Sequence, residues 1–227
     1  KRLRRNIVVP PEGATMTFWI NRDTEAGWDH VFVEARQVGQ NNWTTLPDGN
    51  GHTDTDTGSS CPYWLGLHPF LRHYQTASGD TCSPTGSTGS WNAVSGHSDG
   101  WEQWTVDLGA YAGATAQVSI SYASDDSVQA AGVGIDDIEV STGEGTTSFE
   151  ADGDDLDGWT VPGAPQTSGS NENDWVVITE AEAPASFGEV AQGVLDRQPA
   201  ILSFLADNFG DYPFCPLYTS PSPRART

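Results

Sequence analysis

Ala14-Thr15-Met16-Thr17-Phe18-Trp19-Ile20 sets Met16, Phe18 and Ile20 on one face of an extended chain and Thr15, Thr17 and Trp19 on the other. That period of two marks a half-buried strand. The alternation recurs at Val31, Val33 and Ala35, at Trp104, Val106 and Leu108, and at Val118, Ile120 and Tyr122, the last set interleaved with Gln117, Ser119 and Ser121. Turn-formers separate the runs, among them Pro47-Asp48-Gly49-Asn50-Gly51, Tyr111-Ala112-Gly113 and Ser124-Asp125-Asp126-Ser127. No helical period appears before residue 185. The pattern predicts an all-β fold, a two-sheet antiparallel sandwich.

One run breaks its own phase. Val133 and Ile135 share a face, whereas Ile138 and Val140 belong to the opposite one, with Asp136 and Asp137 at the switch. An extra residue there predicts a β-bulge, which re-aims side chains, and the side chains re-aimed are carboxylates.

Thr147 to Ile178 is rich in Gly, Asp, Asn and Ser, with apolar knots around Phe149 and from Trp175 to Ile178. It reads as strand, long loop, strand, closing the sandwich or bridging to a neighbour. After Pro184 the pattern turns helical. Ser186-Phe187-Gly188-Glu189 is a capping box, Val190 and Val194 follow one turn apart, and Pro199 opens a second run in which Ile201, Leu205 and Phe209 line a face before Gly210. A kinked or paired helix over 186–210 has no obvious partner in a β domain and suggests the start of another one. Residues 1–146 are thus read as the sandwich, 147–184 as closing strands and linker, 185–214 as a truncated helical start, and 215–227 as a tail. The tail has no period and looks like translated sequencing-adaptor sequence, so Cys215 onward is set aside from functional argument. With its one methionine at Met16, the chain reads as a piece of a longer protein.

Thirty-one acids face ten bases, a formal charge of -21. Lys1, Arg2, Arg4 and Arg5 crowd one end and Arg224 and Arg226 the other, so only Arg22, Arg36, Arg72 and Arg197 oppose the acids between them. Such a surface repels phosphate backbones and anionic lipid, which argues against nucleic-acid and membrane partners. No apolar run approaches the roughly 20 residues of a membrane span.

Cys61 and Cys82 bracket a polar stretch rich in Gly, Ser and Pro, without the tight pairs that zinc prefers. A disulfide is a better reading than two unpaired thiols. Closing a loop of about 20 residues stabilises by on the order of 3 kcal/mol, and such bonds persist mainly outside the cytosol, which favours a secreted, extracellular protein.

Phe18-Trp19-Ile20, Glu25-Ala26-Gly27-Trp28-Asp29, Val31-Phe32-Val33-Glu34 and Trp43-Thr44-Thr45-Leu46 precede Ser98-Asp99-Gly100-Trp101, Val106-Asp107-Leu108, Tyr111-Ala112-Gly113 and Gly134-Ile135-Asp136-Asp137-Ile138. In that order, over residues 10–142, the series resembles the accessory jelly-roll (MAM-like) module of secreted immune inhibitor A-like metallopeptidases. The Cys61–Cys82 loop looks like an insertion relative to that pattern. Gly188-Glu189-Val190, Arg197 to Leu202 and Phe209-Gly210-Asp211-Tyr212-Pro213-Phe214 resemble the opening of an alanyl aminopeptidase-type zinc catalytic domain. The resemblance implies a jelly roll and a non-catalytic role beside a hydrolase: stabilising that catalytic domain or holding a protein or peptide substrate. It also implies a structural calcium near the sheet edges, for which Glu25, Asp29 and Asp137 are the candidate ligands. The alternative for these acids is a solvated surface or turn caps.

Hydrolytic zinc needs His-Glu-x-x-His, and none of His30, His52, His68, His73 and His97 begins that motif. Zinc is therefore expected only in the catalytic domain, and this chain is expected to be inactive alone. No Gly-x-Ser-x-Gly elbow precedes a helix. His68 and His73 read as loop histidines. The competing reading is an extracellular carbohydrate-binding or adhesion module, with Trp64, Trp91 and Trp101 in or near loops as possible sugar platforms, against the commoner fate of tryptophan as buried apolar area.

Overall fold

The structure, a computed structural model, describes residues 1–128, 130–150, 156–169, 173–178 and 217–219. Its strands are β1 (Arg2–Val8), β2 (Thr15–Asp23), β3 (His30–Gln37), β4 (Thr44–Leu46), β5 (Thr76–Ser78), β6 (Thr81–Ser83), β7 (Val94–Ser95), β8 (Glu102–Asp107), β9 (Thr115–Ala123), β10 (Gly132–Val140), β11 (Trp175–Val177) and β12 (Leu217–Thr219). One antiparallel sheet runs β1-β9-β3-β4, with β7 also on β3. The other runs β11-β12-β10-β2-β8. The expected helix over 186–210 and Cys215 lie outside the described residues.

The two sheets close over one core. Leu3 and Ile7 of β1, Val31, Val33 and Ala35 of β3, and Val118 and Ile120 of β9 meet Met16, Phe18 and Ile20 of β2, Trp104 and Val106 of β8, and Val133 and Ile135 of β10. The alternation read in the sequence produces this layer, since residues two apart share a face. Phe18 sits opposite Trp104, ring centroids 5.5 Å apart. The β10–β2 pairing shifts register between Asp136 and Glu139, and Asp137 takes φ +45°. The phase break is therefore a bulge.

The basic start forms an edge strand, β1, whose Leu3 and Ile7 are fully buried. Three features depart from the sequence reading. A helical turn α1 (Trp64–Leu67) and a 3-10 turn (Pro69–His73) occur well before residue 185. His68 joins them and His73 ends the second, so neither is in a plain loop. The knot at Phe149 is not a strand: Thr147 makes a lone bridge to Ile138, and Phe149 buries completely with φ +56°.

The segment around α1 forms a second, aromatic core against the outer face of the first sheet. Phe32, Trp43, Trp64, Tyr74 and Trp91 pack there, with Phe32 4.9 Å from Trp91 between ring centroids. A Cys61–Cys82 disulfide ties the β5–β6 hairpin to this layer, Cα atoms 5.8 Å apart. His30 is wedged against Trp64 and Trp91, centroids 4.6 and 5.6 Å away. Gly58 lies over its ring: a Cβ there would come within 2.7 Å of the imidazole and 2.5 Å of the Gly27 carbonyl. β3 faces both cores, Val31, Val33 and Ala35 to one and Phe32 to the other.

Candidate functional site

The outer face of the first sheet is polar where the aromatic layer meets it. Register sets Ser121 beside both Arg2 and Phe32, and Ser119 beside both Arg4 and Glu34. Glu34 is 1% exposed, a burial that an ionised carboxylate tolerates only with donors around it. Its Oε1 accepts from Arg2 Nε and from Ser121 Oγ at 3.0 Å, and its Oε2 accepts from the Tyr74 hydroxyl. Burial pushes the Tyr74 phenol well above its usual range, so it remains a donor. The Arg2 guanidinium stacks over Phe70 at 4.1 Å and Trp43 at 5.2 Å.

This network floors a cleft of about 370 Å³, a size ordinary for a small-ligand site. Phe32, Glu34 and Ser121 lie at its base. One wall is Leu67 to Leu71, the opposite wall is the Ser124–Val128 turn, and the 164–169 loop closes an end. The walls are pinned to each other: His68 Nε2 lies 2.7 Å from the Ser124 carbonyl, and the Tyr63 hydroxyl donates to both Asp126 oxygens at 3.1 Å. Burial lowers the His68 pKa, which favours the neutral ring. Behind the turn, Asp29 accepts from the Tyr122 hydroxyl at 2.7 Å and from the Asp125 amide at 3.2 Å. Burial lifts the Asp29 carboxyl to about 6.

Among the described residues, the buried atoms Arg2 Nη2 and Ser168 Oγ, on residues that line the cleft, make no hydrogen bond. Asp125 and Asp126 line the cleft without an ion-pair partner among the described residues. Glu34 accepts from three donors, two on Oε1 and one on Oε2, which fixes its carboxylate in the floor of the cleft.

The expected calcium ligands are not gathered at one point. Glu25 and Asp29 are neighbours, with the Asp29 amide donating to the Glu25 carbonyl at 2.9 Å. Asp137 sits at the bulge, five residues along β10 from Gly132, which pairs with Asp23, hence about 17 Å up the strand. There it lines a second cleft with Trp19, Glu139 and Asp157, and burial raises its carboxyl. Among the described residues no three His, Cys, Asp or Glu side chains form a metal-sized group. Trp64, Trp91 and Trp101 are 0%, 0% and 7% exposed, so none offers a platform to a sugar.

The cleft residues escaped sequence reasoning because they come from five distant segments and share no spacing. The one available signal was Glu34, an acid placed among the apolar residues of a strand. No family model matches the chain, and no curated protein matches it.

Proposed function

We propose that the chain is the non-catalytic accessory region of a secreted zinc metallopeptidase, a jelly-roll module that supports the catalytic domain or holds its protein substrate. The observation that supports the reading is that two motifs of the series meet across one strand pair. Phe18-Trp19-Ile20 pairs across β2 and β10 with Ile135 and Asp136, next to the bulge at Asp137. The Cys61–Cys82 disulfide supports an oxidising, extracellular setting. Zinc would belong to the catalytic domain, and a calcium at Glu25 and Asp29 would draw its remaining ligands from elsewhere than Asp137.

The test is the encoding reading frame, sequenced without interruption through and beyond Phe214. A downstream His-Glu-x-x-His helix with a distal glutamate supports the proposal. A frame that runs on into an unrelated sequence, or stops without that motif, overturns it.

A further inference from the structure

We propose that Asn42 is an acceptor for an N-linked glycan. This goes beyond the accessory role and rests only on the extracellular part of that reading, because the sugar is transferred inside a secretory compartment.

Asn42-Trp43-Thr44 is an Asn-x-Thr triplet without proline at its centre, the pattern that marks an acceptor in a surface loop of a secreted protein. No other asparagine of the chain has serine or threonine two positions on, so the signal singles out one side chain. A triplet whose asparagine is buried has no room for a sugar, and the fold decides that point.

Asn42 is exposed, in the loop that joins β3 to β4. Its Oδ1 accepts from the Gln37 amide at 3.1 Å, which anchors the carboxamide by its oxygen and leaves the Nδ2 hydrogens to solvent. The linkage uses the free end. A bond forms between Nδ2 and C1 of the first sugar, and the C1–O bond to the diphosphate of a lipid-linked oligosaccharide donor breaks. The electron pair stays on the diphosphate oxygen, Nδ2 releases one proton, and nothing is oxidised or reduced. Oδ1 keeps its lone pairs, so the bond from Gln37 survives the modification.

The flanking residues hold the loop in place. Trp43 is 4% exposed, with the Arg36 guanidinium 4.8 Å from its ring centroid and Phe70 packed at 5.4 Å. Thr44 Oγ1 accepts from the Ser90 amide and donates to the Thr45 carbonyl, each at 3.2 Å. The triplet's hydroxyl is thus engaged in the folded chain, which places the transfer before β4 closes, with folding afterwards leaving the sugar outside. β3 runs from His30, paired with Ala123 beside the cleft, to Gln37 at this loop, seven steps of about 3.4 Å or about 24 Å in all. A glycan at Asn42 therefore stands clear of the Ser124–Val128 wall.

The full chain, expressed behind a cleavable export leader in cultured eukaryotic cells and recovered from both the medium and the lumenal fraction, is examined by intact mass and glycopeptide mapping. The expected result is hexose and N-acetylhexosamine mass on the peptide containing Asn42, removed by N-glycosidase with an aspartate left in its place. Asn42→Gln and Thr44→Ala are each expected to lose the increment completely, whereas Thr44→Ser, which keeps the hydroxyl, retains it. An unmodified Asn42 in both fractions, a glycan that persists in Asn42→Gln, or one indifferent to Thr44→Ala overturns the proposal. Because each outcome is read on this chain alone, a bare Asn42 leaves the metallopeptidase parentage standing, and a reading frame without the zinc motif leaves the glycan standing.

Discussion

The Tyr74 hydroxyl donates to Glu34 Oε2 from 40 residues away in sequence, and it is the sole donor to that oxygen among the described residues, while Arg2 and Ser121 share Oε1. Tyr74→Phe therefore strands a buried carboxylate oxygen and is expected to destabilise by about 1–3 kcal/mol. Ser121→Ala leaves Arg2 in place and is expected to lose less, about 1 kcal/mol. Urea denaturation at neutral pH ranks the two, and the reverse order would contradict this division of donors.

The disulfide closes a separation of 21 residues around the aromatic layer. Replacing both cysteines, Cys61→Ser with Cys82→Ser, is expected to lower stability by about 3 kcal/mol in the chain-entropy description. Peptide mapping under non-reducing conditions identifies the linked pair. An unchanged denaturation midpoint after reduction would show that the aromatic packing suffices alone.

Two buried groups titrate with opposite consequences. Asp29 is lifted from 3.8 to about 6 by burial, so its stabilising contribution is complete below 3.8 and is lost as pH rises through 6. His30 is lowered from 6.5 to about 4 by burial, so its contribution is complete above 6.5 and is lost as pH falls through 4. Each shift is near two units, on the order of 3 kcal/mol at about 1.4 kcal/mol per unit, and the two oppose each other between pH 4 and 6.5. Asp29→Asn removes one side of this balance. Its stability is expected to fall on acidification from pH 6.5 to 4 relative to the parent chain, by up to about 3 kcal/mol. Parallel stability–pH curves for the two proteins would refute the opposition.

Gly58→Ala tests the layer sterically. With φ +68° and the Gly27 carbonyl and His30 ring both under 3 Å from a new Cβ, it is expected to destabilise by about 2 kcal/mol. Gly51→Ala shares a positive φ but meets nothing within 4 Å, and is expected to lose about half as much. Thermal melts of the pair separate collision from backbone strain.

Alternation made the sandwich legible. Met16, Phe18 and Ile20, or Val118 and Ile120, can be assigned to a core from spacing alone, because a strand with one wet face must alternate. The bulge was legible for the same reason, since Ile138 and Val140 fall out of phase with Val133 and Ile135. β1 was hidden by its arginines: Arg2 and Arg4 point to the outer face, where Arg2 is buried under Phe70 and Trp43 and Arg4 reaches Trp43 while half-buried. The layer around Trp64, Tyr74 and Trp91 was hidden because no single period organises it; a crosslink, two short turns and ring contacts do. The cleft is later still in that order, since it exists only once β1, β3, the 64–73 turns and the 164–169 loop have met.

With Phe32 against one hydrophobic layer and Val31, Val33 and Ala35 against another, β3 works like a keyed shaft. Sliding it by a single position would thrust Glu34 between the sheets and lift the valines under the aromatic lid, a swap that both sides reject at once.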